Sequence, residues 1–252
     1  MDIYTFWEQF KRSLAIVKKN VRIYYSKGPV IIFGLLMPLF LFLAFSIGRS
    51  MSLENLLPGL LGMTVFFSAT SVGPAIVPWE ARSKTLERLV SAAVSVWTIF
   101  LGDAVSSFLF GFLVSIVPVI VGMLIGVNIV HPLVLGFGLI LATFCFAFFG
   151  ILLSAYPPSD IPASTMMISS MVKFPLVFIS GVFIPIQELP EWGRIIASFS
   201  PLTYFTDLMR YSIQGTSYYS VLLDVTALTM FTVLFLVTAI KLHEKSLPKR
   251  LA

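Results

Sequence analysis

Apolar residues in this chain fall into long uninterrupted runs, separated by short polar stretches. The first segment differs. From Ile3 to Tyr25 the apolar positions Ile3, Phe6, Trp7, Phe10, Leu14, Val17, Val21 and Tyr24 recur at three-and-four spacing, the signature of one helix face. Lys11, Arg12, Lys18, Lys19 and Arg22 occupy most of the other side. Such a basic amphipathic helix is expected to lie in a membrane interface on anionic lipid. The length of its charged region and the lack of a small-residue cleavage site argue against a secretory leader. Six apolar runs follow, at about 29–47, 56–77, 98–127, 132–155, 163–184 and 219–242. A membrane span needs about 20 residues, so each run predicts a transmembrane helix. Pro38, Pro74, Pro118 and Pro175 fall inside them, which lipid tolerates where neighbouring helices satisfy the freed backbone groups. Gly122 and Gly126 form one G-x-x-x-G, a candidate helix contact.

Composition agrees. The 252 residues are 58% hydrophobic and 12% charged, with a mean hydropathy of +0.95. Soluble domains run at about 25% charged, and no stretch is left over for one. The expected fold is all-α integral membrane, one transmembrane domain over 1–252. The net charge of +5 matters through its placement. Thirteen of the seventeen Lys and Arg residues lie in the N-terminal segment (1–27), the 79–97 loop and the C-terminal tail. The positive-inside rule then places both termini in the cytoplasm. Trp79, Trp97, Trp192, Tyr204, Tyr218 and Tyr219 fall near span ends, where interfacial aromatics belong.

The segment from Lys173 to Arg210 fits neither class. It is too polar to cross a membrane and too apolar for a free loop. The apolar run reaches Ser180-Gly181 and stops at Pro185; a polar patch with Glu188, Pro190, Glu191 and Trp192 follows; a helical pattern resumes and breaks again at Ser200-Pro201. The pattern predicts two short helices dipping into one face of the bilayer, within 185–215 and between the fifth and sixth spans. The alternative is that such a Pro-rich amphipathic segment merely covers helix ends. Asp207 and Arg210, spaced i, i+3, are positioned to pair.

These residues carry a resemblance. Ser180-Gly181-x-Phe183-x-Pro185, then Leu189-Pro190-x-Trp192, then Ser200-Pro201-Leu202-Thr203-Tyr204 and the downstream Arg210 resemble the last third of ABC-2-type permeases, the membrane subunits of ATP-binding-cassette exporters. The resemblance extends over nearly the whole chain and implies that 185–215 is an extracellular re-entrant gate. It also changes the reading of Trp79–Leu89, W-E-A-R-S-K-T-L-E-R-L. Charge pattern alone fits a solvated connector helix, with Glu80, Lys84, Glu87 and Arg88 exposed and Leu86 and Leu89 facing the bilayer. Related permeases carry an acidic residue and a T-L-E-x-L-like run in a coupling helix that docks on the ATPase, which Glu80 and Thr85-Leu86-Glu87-Arg88-Leu89 match. The family often has Gly before the Thr; here Lys84 stands there.

Candidate chemistry is sparse. The sequence has no G-x-x-x-x-G-K-[ST], so it cannot cradle ATP phosphates by itself. It has no H-E-x-x-H, and its histidines, His131 and His243, fall in a loop and a tail. No catalytic, cofactor or metal residues are expected. Asp103 and Asp160 lie near cytoplasmic span ends, as caps or facing headgroups. Lys173 sits mid-span, where insertion costs about 2.5–3.5 kcal/mol. That marks a pathway residue or, equally, a snorkelling or buried paired one. The resemblance implies a plasma-membrane exporter of a hydrophobic or amphipathic substrate (drug-like, lipid or glycan-lipid, with the motifs nearest the drug- and polyketide-exporting branch). It would work as a homodimer or heterodimer with a similar permease, driven by ATP bound in a separate cytoplasmic ABC ATPase. The alternative is a membrane scaffold without transport of its own; an intramembrane enzyme is more distant, since no nucleophile–base set is visible.

Overall fold

The computed structural model describes residues 3–47, 52–91, 94–155 and 161–251. The described residues form helices and connecting turns, without strand. In order they are α1 (Ile3–Tyr24), α2 (Gly28–Ile31), a π-helical stretch (Ile32–Leu36), α3 (Met37–Ser46), α4 (Leu53–Arg82), α5 (Thr85–Ser91), α6 (Val96–Leu124), α7 (Pro132–Ala155), α8 (Pro162–Ile179), a 3-10 turn (Ile186–Glu188), α9 (Glu191–Ala197), α10 (Pro201–Gln214) and α11 (Val221–Leu251). Five helices, α4, α6, α7, α8 and α11, are long and apolar enough to cross a membrane. The first expected span is α2–α3, which reaches that standard only when taken with α1, from which it bends by 90°. The π-helical stretch has a cause: Pro38 has no N–H to offer the Gly34 carbonyl, so the ladder must shift there.

α4 is the axis. Its spanning window is 94% buried, against 11% for α11, and α6, α7, α8 and α10 all pack on it. A largely apolar helix whose few polar side chains are small and form no separate face is expected inside a bundle. Close approach depends on small residues, because lipid supplies no hydrophobic drive between helices. A Cβ at Gly150 of α7 would stand 2.9 Å from the Thr70 Cα of α4, so any side chain there forces the helices apart. The core between α4, α7 and α10 is aromatic: Phe66 meets Phe146 edge-on at 5.1 Å, and Phe146 meets Phe205 at 5.9 Å.

Three expectations change. The G-x-x-x-G is not a helix contact: Gly126 lies beyond α6 at φ +94 in open space, and Gly122 alone meets α4, at Leu57. The fifth span ends as helix at Ile179, several residues before the apolar run stops. α1 does not turn its whole apolar face outward either. Ser13, Ile16, Val17, Asn20 and Tyr24 are buried, and the helix packs on α6 and α4. Leu14 and Val21, from the expected apolar face, remain exposed together with Ile23.

Candidate functional site

The motif-bearing segment is a built structure. α8 ends where the Ser180 hydroxyl turns back onto the Leu176 carbonyl and Gly181 takes φ +72, a left-handed conformation natural to glycine. Pro185 precedes the 3-10 turn, and Pro190 stands at the N-cap of α9. Arg194 laces these pieces together: its Nε donates to the Leu189 carbonyl at 2.8 Å and its Nη2 to that of Gln187 at 2.8 Å. Trp192 is exposed. The break at Ser200-Pro201 starts α10, with Pro201 in its first turn, where a missing N–H is harmless. Thr203 and Tyr204 donate back to the carbonyls of Ala197 (2.7 Å) and Ser198 (2.8 Å), fixing α9 against α10.

α10 is buried along its whole first ten residues, between α4, α7 and α11. Asp207 and Arg210 do not pair with each other, against the expectation from their spacing. The Asp207 carboxylate accepts from the backbone N–H of Tyr218 (3.0 and 2.9 Å) and Tyr219 (2.7 Å). Burial pushes that carboxyl up, while these N–H groups and Arg210 pull it down. The Arg210 Nη2 donates to the Gly181 carbonyl at 2.6 Å. Helical i, i+3 proximity lost to backbone groups that have no other partner.

The cytoplasm-assigned charged stretch also differs from its expectation. Trp79 and Glu80 belong to α4, which runs to Arg82. Glu80 is 1% exposed, not solvated; its Oε1 forms an ion pair with Lys19 of α1. α5 begins at Thr85, whose hydroxyl donates to the Glu80 carbonyl at 3.3 Å. Leu86 is buried, Glu87 and Leu89 are half-buried, and Arg88 is exposed. Lys84, in the place where the related pattern has Gly, adopts φ +55. A left-handed non-glycine residue costs roughly 1–2 kcal/mol. Lys84→Gly is therefore expected to stabilise the protein by up to about 1 kcal/mol, seen as a rise in thermal unfolding temperature in detergent; an unchanged or lower value would exclude strain at this turn.

Beside that pair lies a polar cluster that the sequence reading missed. Asn20 of α1 donates to the Asp103 carboxylate at 2.7 Å and to the Ser106 hydroxyl at 3.1 Å, both on α6. Asp103 is wholly buried, neither a cap nor at a headgroup; Asp160 lies outside the described residues. The legible signal was an Asp inside an apolar run, which needs a buried partner. Lys173 is 1% exposed and faces α4, its ammonium 5.6 Å from the Phe67 ring centroid. His243 is no tail residue: it is buried in α11, with Nε2 2.9 Å from the Ile151 carbonyl and its ring 3.9 Å from that of Phe100. His131 stacks on Tyr211 at 4.6 Å. Among the described residues no group of three or more His, Cys, Asp or Glu is placed to hold a metal.

Among the described residues, five or six apolar helices, α4 buried among the others, with the largely exposed α9 and the buried α10 inserted before the last, define a multi-pass membrane protein. The family model for the ABC-2 type transporter matches residues 11–214, and the chain belongs to that family. It is similar to a probable multidrug ABC transporter permease, YbhR, of Escherichia coli (strain K12), 23% identical over 162 residues, covering 61% of this chain and 42% of that protein. The same holds for YbhR of Escherichia coli O157:H7. It is also similar to ycf38 of Cyanophora paradoxa, named as a transport permease, 24% identical over 230 residues, covering 83% of this chain and 77% of that one. The match thus spans about two fifths of the first of these relatives.

Proposed function

We propose that this chain is the membrane-spanning permease subunit of an ABC exporter, moving a hydrophobic or amphipathic substrate outward with ATP hydrolysed by a separate cytoplasmic subunit. The observation that supports it most is family membership across 11–214 in a chain without a phosphate-binding loop. Both termini are cytoplasmic in this reading, the membrane is the plasma membrane, and two permeases pair to enclose the pathway. Residues 185–215 form the external re-entrant gate, with Ser180, Gly181, Pro185, Pro190, Trp192, Pro201, Tyr204 and Arg210 setting its breaks and ties. Lys173 lies beside the pathway. α1 rests at the interface through Leu14, Val21 and Ile23.

The handle for the ATPase is α5 in its 79–97 loop. A helix seated in a partner's groove is read through exposed anchors. The exposed Arg88 and the half-buried Glu87 serve that role, with Thr85, Leu86 and Leu89 holding the helix in place. Glu80 acts from behind, since it is buried and ion-paired. Glu87→Lys with Arg88→Glu is expected to leave the permease inserted and folded, yet lower ATPase co-purification and substrate-stimulated hydrolysis at least 10-fold, the loss of about 1.4 kcal/mol or more of docking energy. Retention of both by the double variant would exclude α5 as the handle and leave the scaffold reading open.

A further inference from the structure

A cavity of about 300 Å³ opens beside the 3-10 turn, between α3, α4 and α10. That is at the small end of ligand pockets, which pair mostly apolar walls with a few convergent polar groups. The walls here include Phe42, Leu56, Met63, Val182 and Phe183, and the charged lining groups are Arg210 and Glu188. Arg210 is only 6% exposed. One end of its fork is committed to the Gly181 carbonyl. The other, Nη1, is buried without a hydrogen-bond partner. A buried guanidinium nitrogen lacking an acceptor is rare, since each such group carries a large desolvation cost. Asp207, one turn away on the same helix, is engaged by the Tyr218 and Tyr219 N–H groups. Glu188 is exposed at the turn. The site is therefore cationic at depth, anionic at its rim and apolar along one side, with Asn55, Gln187, Gln214 and Thr216 as neutral polar lining.

We propose that this cavity is a binding subsite for the oxyanion head of a small amphipathic molecule, a carboxylate or phosphate monoester, whose head engages the Arg210 guanidinium through a small shift of that side chain into the cavity and whose tail lies against Phe42, Leu56 and Met63. A guanidinium fork suits planar or tetrahedral oxyanions, and the apolar walls have no use for a free inorganic anion. Glu188 competes with the ligand from the rim. The subsite does not depend on transport, because binding is a property of the chain alone; a failed transport assay leaves it standing, and a failed binding assay leaves the permease reading standing.

The test is equilibrium binding of hexyl phosphate to the purified full chain in a non-ionic detergent. Saturable binding is expected, at least about 10-fold weaker in Arg210→Gln, as for loss of a charge-assisted hydrogen bond. Glu188→Gln, an exposed change, is expected to tighten it several-fold. This second variant keeps the proposal falsifiable if Arg210→Gln does not fold. Equal binding of hexylammonium, or no tightening in Glu188→Gln, overturns the subsite. Inorganic phosphate binding as tightly as hexyl phosphate overturns the assignment to an amphiphile.

Discussion

Lys19→Met is expected to destabilise the protein by about 3 kcal/mol, the usual cost of removing one partner from a buried ion pair. Glu80→Gln should cost about 1 kcal/mol, closer to an ordinary hydrogen bond. The asymmetry follows from exposure. Glu80 is 1% exposed and Lys19 retains 28% of its side-chain surface. Without Lys19, the Glu80 carboxylate is stranded: its second oxygen already has no partner, and Asp103 is buried in the same junction of α1, α4 and α6. Without the Glu80 charge, Lys19 extends its long stem and puts the ammonium in water. Thermal unfolding of the two single variants and of Lys19→Met with Glu80→Leu measures this directly. The double variant should recover much of the loss, since an apolar pair strands no charge. A Glu80→Gln variant as damaged as Lys19→Met would mean that the pair acts through something other than carboxylate desolvation. The same variants bear on coupling. Glu80 lies in the last turn of α4, shortly before α5, and Lys19 ties that turn to α1.

Much of the architecture was legible because it depends on run length. Apolar runs of span length became helices, and Pro185, Pro190 and Pro201 became breaks where their missing N–H groups demanded them. The two short helices before the last span followed from the same residues. What the sequence hid were choices among partners. Nothing in the spacing of Asp207 and Arg210 said that the Tyr218 and Tyr219 N–H groups and the Gly181 carbonyl would claim them first. Periodicity placed Leu14 and Val21 on one face of α1 with Val17. It could not say that the stripe Ser13, Ile16, Asn20 would be the one to seat on α6, because a helix face mixing apolar and small polar residues suits either a protein neighbour or an interface. Glu80 looked solvated for the same reason: its neighbours in sequence are charged, but its neighbour in space is a lysine sixty-one positions earlier.

Asp207→Ala is expected to be nearly as severe, about 2 kcal/mol, through a different loss: two part-buried backbone donors left without their acceptor. The turn after α10 is short. Gly215 ends the helix at φ +74, and within a few residues α11 begins at Val221. Between them the N–H groups of Tyr218 and Tyr219 point at Asp207, which thereby fixes how α11 leaves α10. Tyr219 then packs on Tyr204 at 5.4 Å, and α10 on α11. Asp207→Asn separates charge from geometry. The nearer oxygen accepts from both N–H groups, at 2.9 and 2.7 Å, so an amide oxygen in that place keeps one bond to each N–H and loses only the second, 3.0 Å contact from Tyr218 to the other oxygen. Asn should therefore cost under about 1 kcal/mol, and hydrogen exchange at Tyr218 and Tyr219 should stay slow. In Asp207→Ala those two amides should exchange at least 10-fold faster, with the rest of α7 and α4 little changed, because the opening is local. If Asn proves as damaging as Ala, the carboxylate's charge, set against the buried Arg210, holds the segment, and the two backbone bonds are secondary.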